Sequence, residues 1–363
     1  MVKLGLNVSL KSNIESMDAV HRAGPEQQGA IAQLLRSVFG SGMSPSLLSP
    51  ELLQWKFFSP RPDSNGSRSY VLGENADIQA HACVWPVSFL SSSRSVPSCH
   101  LIDWAARPEA KGAGIRIYQY LMRQNETVLV IGGSAQARKL LPKLGFRPHG
   151  TLDSFARVVR PWRQYCTRPQ RNGWRGSARL ARNTIWSLPH VAVSQREWTA
   201  AQVSNANDLP ENGFRVHASS FCLGVRSPAW LQYLMECPVM NCRLFALAKA
   251  NLPRGYFLLN QVAGQCRIVD LAIDSEAPPD WEAAYRVAVT TAVRQKTTCE
   301  ITAVSSLPWL SEAFRRIGFR LRQQIPVMLH DPGRRLVDSP PLHLRMTDND
   351  HCFLYDESYP YLT

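Results

Sequence analysis

The chain has 363 residues, of which 45% are apolar and 19% charged, and its formal net charge is +13. That composition is globular, which excludes a disordered polymer, and the length suits two domains at ~150 residues each. No apolar run approaches the ~18 residues of a membrane span. The opening MVKLGLNVSLKSNIESMDAV also lacks the apolar core and cleavage site of a signal peptide, so a cytoplasmic location is expected. Nine cysteines lie scattered without a CxxC pair, which reads as reduced thiols and gives a zinc site no support. The basic excess suits a polyanionic partner, whether a phosphorylated cofactor, a nucleic acid or an anionic lipid surface, and does not choose among them.

Met1 to about Ala19 is polar and is expected to fray. Pro25 to Phe39 has the spacing of an amphipathic helix, with Ile31, Leu34, Leu35 and Val38 on one face. Ser49-Pro50 starts a second, since proline suits the first helical position. Tyr70 to Leu90 reads as a hairpin around Glu74-Asn75, and Ser91 to Ser98 as a polar connection. Leu101 to Ala106 is apolar apart from Asp103 and suits a strand buried on both faces. A turn through Arg107, Pro108 and Glu109 then leads to Lys111-Gly112-Ala113-Gly114, where Ile115, Tyr118 and Leu121 begin a helical period. A strand, a glycine turn and a helix N-terminus make an anion site: the backbone can approach, free N–H groups point outward, and the dipole favours a phosphate. Val128 to Ile131 is a short buried strand, and Ser134 caps a helix through Leu141 that ends in Leu144-Gly145-Phe146-Arg147.

The stretch from His100 to Arg123 resembles the acyl-CoA-binding segment of the GNAT superfamily of acetyltransferases. Asp103, Ala105, Pro108, Glu109, Gly112, Gly114 and Ile115 sit at positions matching the family's strand and its R-G-x-G-I-G loop. Lys111 replaces the usual Arg or Gln, and Arg116 stands where the last small residue belongs. The resemblance implies that Ala105, Lys111, Gly112, Ala113, Gly114, Ile115 and Arg116 hold acetyl-CoA, with no metal required. The helix ending in Leu-Gly-Phe is similar to the family's as well, and the family's proton-donating tyrosine aligns with Leu141, which leaves the usual proton route without its acid.

Three motifs recur in the same order. Ser49-Pro50-x-x-Leu53-Gln54-Trp55 returns as Ser227-Pro228-x-x-Leu231-Gln232-Tyr233, His100-Leu101-Ile102-Asp103-x-Ala105 as Arg267-Ile268-Val269-Asp270-x-Ala272, and Leu144-Gly145-Phe146-Arg147 as Ile317-Gly318-Phe319-Arg320. The expected fold is therefore α/β, with two tandem GNAT-like domains, each a mixed central sheet flanked by helices. The boundaries read from sequence are 20–160 for the copy with the acyl-CoA loop and 161–190 for an arginine-rich linker. A degenerate copy follows over 191–332, then a tail over 333–363 that packs on it. After Glu276-Ala277 the second copy runs Pro278-Pro279-Asp280-Trp281-Glu282, without the glycine loop and with two added carboxylates expected to repel a pyrophosphate. It is not expected to bind CoA.

Acyl transfer from a thioester needs a base for the acceptor, stabilisation of the carbonyl oxygen and release of the thiolate. His100 and Asp103 are the candidate bases. His100 has a suitable intrinsic pKa, although a histidine at a strand start is usually only exposed. A strand aspartate more often orients backbone, and the recurrence of Asp103 as Asp270 favours that role. Glu109 and Tyr118 read as a turn residue and a packed helix residue. In the tail, Asp348, Asp350 and His351 lack calcium-loop spacing and read as a polar loop. Arg157, Arg160, Arg163, Arg168, Arg171, Arg175, Arg179 and Arg182 recur every three to five residues, as a solvated charged face or as an anion-binding element.

Three functions fit. The first is an acyl-CoA-dependent acyltransferase, acetyl-CoA being the expected donor, acting on an amine or hydroxyl of a small-molecule or cell-envelope glycan acceptor. The second is an aminoacyl-tRNA-dependent transferase resembling the Fem family, in which the arginine segment grips nucleic acid; Gly112 and Gly114 argue against it, since Fem proteins lack a working CoA loop. The third is a CoA-binding scaffold without catalysis.

Overall fold

Helix α1 (Gln28–Phe39) buries Ile31, Leu34 and Leu35 of the face its spacing predicts, while Val38 in its last turn is exposed, after a first turn tightened to 3-10 over Pro25–Gln27. The structure, a computed structural model, describes residues 20–40, 44–91, 94–167, 173–188, 197–210 and 219–363. The N-terminal stretch expected to fray lies outside the described residues, as do Arg168 and Arg171. The chain forms two compact units. The first is drawn from residues up to 87 with 97–147 and 328–334; the second from 88–96, 148–327 and 335–363. Each unit thus takes in chain from the other half of the sequence.

In the first unit, α2 (Pro50–Leu53) continues through a wider turn over Gln54–Phe58. The strands are β1 (Val20–Arg22), β2 (Ser69–Glu74), β3 (Asp77–Ser91), β4 (Arg94–Ala106) and β5 (Val128–Ile131), in that spatial order, with residues 328–330 beside β5. The expected polar connection over Ser91–Ser98 is mostly strand, because β4 begins at Arg94 and buries Val96 within its serine-rich run. Helices α3 (Ala113–Gln124) and α4 (Ala135–Leu140) complete the unit. Ser134 caps α4 through the Ala137 N–H at 3.1 Å, and Pro142, which has no N–H, turns the following residues into 3-10 helix. Leu72, Ala82 and Leu101 from the sheet pack with Ile117, Tyr118 and Leu121 of α3 and with Leu141, Phe146 and Met328.

The second unit holds β6 (Arg147–Val158), α5 (Pro161–Cys166), α6 (Trp174–Ser187), β7 (Trp198–Val203), β8 (Cys222–Gly224) and α7 (Pro228–Met235). It continues through β9 (Cys242–Lys249), β10 (Leu252–Val262), β11 (Gln265–Ile273), α8 (Pro278–Arg294), β12 (Glu300–Ser305), α9 (Pro308–Ile317), β13 (Arg320–His330) and β14 (Leu342–His343). Its sheet order is β7-β9-β10-β11-β12-β6-β13. In both units two sequential strands pair in parallel around a crossover helix, β4–α3–β5 and β11–α8–β12, among antiparallel neighbours.

The repeated motifs perform matching local tasks. Ser49 accepts the Leu52 N–H at 3.2 Å and Ser227 the Trp230 N–H at 3.1 Å, each ahead of a proline at the first helical position. Gly145 and Gly318 end their helical segments in the left-handed region, at φ +89° and +96°, where a side chain would strain the turn, and the phenylalanine after each is buried.

Three of the recurring arginines donate to backbone carbonyls at helix ends. Arg160 donates to the carbonyls of Val293 at 2.8 Å and Gln295 at 3.2 Å, and Arg163 to that of Lys296 at 2.5 Å, all at the C-terminal end of α8. The Val293 carbonyl is among the orphans of the last turn, and all three lie at the negative pole that a cation satisfies. Arg157 donates to the Ile317 carbonyl at the end of α9 at 2.8 Å. This part of the arginine run is helix capping.

Candidate active site

The parallel ladder between β4 and β5 joins Cys99 to Val128 and His100 to Leu129, and ends there. The strands then part, leaving the Ile131 N–H without a strand partner, and His100 takes its place: Nε2 accepts that N–H at 3.0 Å. A backbone N–H only donates, so this lone pair of the ring is engaged, and His100 is buried rather than exposed at a strand start.

Asp103 lies further along β4 with φ +52°, a left-handed kink in the strand. Its carboxylate pairs with Lys56 Nζ at 2.6 Å, and both side chains are nearly buried. His81 Nδ1 donates to the Asp103 carbonyl at 3.0 Å, while its Nε2 accepts from the Ser69 hydroxyl at 2.8 Å. Burial pushes the His81 pKa down to about 4, so the ring is neutral and pins the kink. Lys56 and His81 escaped sequence reasoning, yet each left a signal: Lys56 interrupts the apolar run Leu52–Phe58, and His81 sits inside an apolar strand. Burial also pushes the Cys83 and Cys99 thiols up to about 12, which leaves neither as a thiolate nucleophile.

Past Ala105, which is buried, the chain turns into α3. Lys111 and Gly112 are exposed, Ala113 and Gly114 buried, and Ile115 and Arg116 half-buried. Gly112 has φ +82°, with open space where a Cβ would stand. The N–H groups of Gly112 and Gly114 have no backbone partner among the described residues, whereas those of Ala113, Ile115 and Arg116 do. Arg116 makes no ion pair there either. Gly114 differs from the sequence expectation. A Cβ on it would meet Trp104 Nε1 at 3.0 Å and Ala106 Cβ at 3.2 Å, so its smallness admits Trp104 rather than a phosphate. Trp104 in turn donates to the Gly114 carbonyl at 3.0 Å and stacks on the buried Tyr118 at 4.1 Å.

The second unit repeats the parting strands without the cradle. The β11–β12 ladder runs from Gln265↔Glu300 to Arg267↔Thr302 and stops. The first two residues of α8 are prolines, which offer no N–H to an anion. The carboxylates expected to repel one are neutralised: Asp280 pairs with Lys249 at 2.7 Å, and Glu282 with Arg286 at 2.7 Å and Arg316 at 2.6 Å. Asp270 accepts from Arg345 Nη1 at 2.7 Å, Arg226 Nε at 3.0 Å, the Tyr256 hydroxyl at 3.2 Å and Thr347. Asp348 pairs with the same Arg226. A small cleft opens beside this cluster, walled by Leu90, Leu223, Val225 and Ala272. Among the described residues, no three His, Cys, Asp or Glu side chains gather as metal ligands, and no helix is long and apolar enough to cross a membrane.

His81 in the first unit and His343 in the second give a pH test of each. Burial lowers their pKa values to about 4 and about 3, below a free imidazole. The unfolded chain therefore binds protons first as the pH falls below about 6.5, and stability present above that value is lost on the way down. The first unit should lose about 1.4 kcal/mol per pH unit between about pH 6 and 5, and the second about twice that, since burial lowers His351 to about 4 as well; most carboxylates stay ionised over this range. Denaturant midpoints that stay level over this range would contradict the neutral, buried assignment.

No protein-family model and no curated protein sequence matches the chain. Solved structures do. A conserved Enterococcus faecalis V583 protein of unknown function, a probable N-acyltransferase, superposes with a TM-score of 0.57 at 12% identity, covering 85% of this chain and 71% of that one. A GCN5-related N-acetyltransferase from Anabaena variabilis ATCC 29413 gives 0.56 at 13% identity over 85% and 71%. Saccharomyces cerevisiae N-myristoyltransferase with bound myristoyl-CoA gives 0.56 at 11% identity over 86% and 82%. At such identities the likeness is one of fold, and coverage of this extent takes in both units. With a parallel β-α-β crossover and parting strands in each unit, the chain has a GNAT-like fold laid out twice in tandem.

Proposed function

We propose that the chain is an acyl-CoA-dependent acyltransferase whose donor site is the Lys111–Arg116 cradle of the first unit, with acetyl-CoA as the donor. The observation that carries this reading is the pair of unengaged N–H groups at Gly112 and Gly114, at the head of α3 and directly downstream of parting strands. Two amides, the positive end of the helix and the exposed Lys111 suit a pyrophosphate. The half-buried Arg116 adds a cation that nothing in the described chain neutralises. The acceptor is an amine or hydroxyl, of a small molecule or a cell-envelope glycan. The bound CoA thioester supplies the activated acyl group; the protein's part is to hold the phosphates and order β4. His100 and Asp103 remain the candidate bases, although each would first have to give up the bond that now engages it. The prolines at the head of α8 support a single donor site per chain.

Calorimetry with acetyl-CoA should give one equivalent bound per chain. Lys111→Glu, which reverses an exposed charge, should weaken binding at least tenfold, roughly 1.4 kcal/mol. Two equivalents, or an affinity indifferent to Lys111→Glu, would sink the assignment. A second reading, CoA binding without transfer, is favoured by one observation: Leu141, at the position of the family's acid, is fully buried and apolar. Free thiol released from acetyl-CoA only when an acceptor is added decides for transfer. Bound acetyl-CoA that never releases thiol across a panel of amines, aminosugars and sugars decides for the second.

A further inference from the structure

Helix α6 carries an apolar stripe that faces solvent. Trp174, Ala178, Ala181 and Ile185 recur at steps of four, three and four, so they share one face of the helix, and Leu188 at its C-cap extends the line. All five are exposed, Trp174 at 77%, Ile185 at 65% and Leu188 at 58%. The opposite face is the packed one: Asn183 is buried and donates to Gln164 Oε1 of α5 at 2.9 Å. A surface helix of a globular protein turns its apolar stripe inward. This one turns it outward.

The charges beside the stripe have one sign. Arg175 and Arg179 are exposed along one flank and form no ion pair among the described residues. Arg182, on the same flank, stacks over Trp186 at 4.3 Å. Between Asp153 and Glu197 the sequence has no acidic residue. The neighbouring α5 also exposes a large indole, Trp162 at 66%. Exposed apolar side chains grouped with cations mark a binding face rather than ordinary surface.

We propose that α6 docks this unit on an anionic phospholipid bilayer, lying in the plane of the interface. The stripe enters the headgroup and acyl boundary, Trp174 sits at the depth indoles prefer, and the arginines meet lipid phosphates. The aliphatic members decide for a bilayer over a nucleic acid. Ile185 and Leu188 gain from leaving water but offer nothing to a base or a phosphate, whereas a nucleic-acid surface would use the tryptophans and arginines alone. The docking stands independently of the acyltransfer reading.

The test is sedimentation of the full chain with phosphatidylcholine vesicles, with and without phosphatidylglycerol. Binding is expected to the mixed vesicles only, and to weaken as salt screens the arginines. Trp174→Ser with Ile185→Ser should lower partitioning at least about tenfold, and Arg175→Gln with Arg179→Gln should lower it by a similar factor. All four positions are exposed, so circular dichroism should report an unchanged fold. Partitioning that ignores the Ser variant, or an absence of binding to the mixed vesicles, overturns the proposal. Two other results also overturn it, each naming a different occupant. Single-stranded RNA binding lost in the Gln variant, without vesicle binding, assigns the face to nucleic acid. A concentration-dependent dimer abolished by the Ser variant, without vesicle binding, assigns it to a second copy of the chain.

Discussion

Replacing Asp270 with asparagine should destabilise the second unit by about 3–5 kcal/mol, the usual cost of breaking a buried ion pair. The substitution keeps the shape but removes the charge that Arg226 and Arg345 face, and both guanidinium groups are almost fully buried. One side-chain position then presents an NH₂ group to arginine donors, where only acceptors are wanted. Burial by itself would push the Asp270 carboxyl up, yet Arg345 and Arg226 hold it below the usual carboxylate range. Its contribution is therefore present above the ordinary aspartate pKa and lost as the pH falls through the lowered value. Thermal unfolding of Asp270→Asn should show a midpoint on the order of 10 °C lower. A midpoint within experimental error of the parent would mean that the cluster is solvated and the interior network misassigned.

The cluster also marks how far the sequence can be read. The recurrence of Asp103 as Asp270 was visible, and so was the structural role that recurrence suggested. Their partners were not, because the two copies solve one problem from different places. Lys56 reaches Asp103 from the turn after α2, while Arg226 precedes α7 and Arg345 comes from far down the chain. No spacing rule links such residues, since the contacts are set by tertiary packing. The motifs that local chemistry fixes were legible: Ser-Pro caps, glycine helix ends and the strand ahead of Lys111. The strand, turn and helix N-terminus around Lys111 to Gly114 belong with these, because they adjoin in sequence. Gly114 shows the limit. Its place in a loop motif is readable, but whether its missing Cβ admits a phosphate or an indole depends on Trp104 across the fold. Strand exchange is illegible for a similar reason. Residues 148–158 fall inside the 20–160 stretch read as the first copy and cluster with the second unit, where β6 pairs with β12 through Glu300↔Val158. Sequence order does not say which sheet a terminal strand will join.

The Asp103–Lys56 pair separates chemistry from architecture. If Asp103 serves only to hold the kink in β4, Asp103→Asn leaves a buried ammonium unmatched and should cost about 3–5 kcal/mol of stability. Whatever activity is lost should then follow the folded fraction. Removing both charges tests this further, since Lys56→Met with Asp103→Asn leaves no buried charge unmatched and keeps at the left-handed position 103 a residue type that tolerates it. Replacing both members of a buried pair is often neutral or stabilising. The double variant should recover most of the midpoint lost by Asp103→Asn and, with the kink intact, should bind acetyl-CoA as the parent does. A base would behave otherwise: kcat would collapse in both variants, including the double variant whose midpoint is recovered. Loss of kcat in the stable double variant would therefore make Asp103 a catalytic residue, whereas recovered turnover leaves base duty to His100 or to the acceptor's own surroundings. The kink supplies the reason to expect recovery. His81 holds it through the Asp103 carbonyl, not through the carboxylate, so the backbone that follows into Ala105 and the amides of Gly112 and Gly114 keeps its course when the charges are gone.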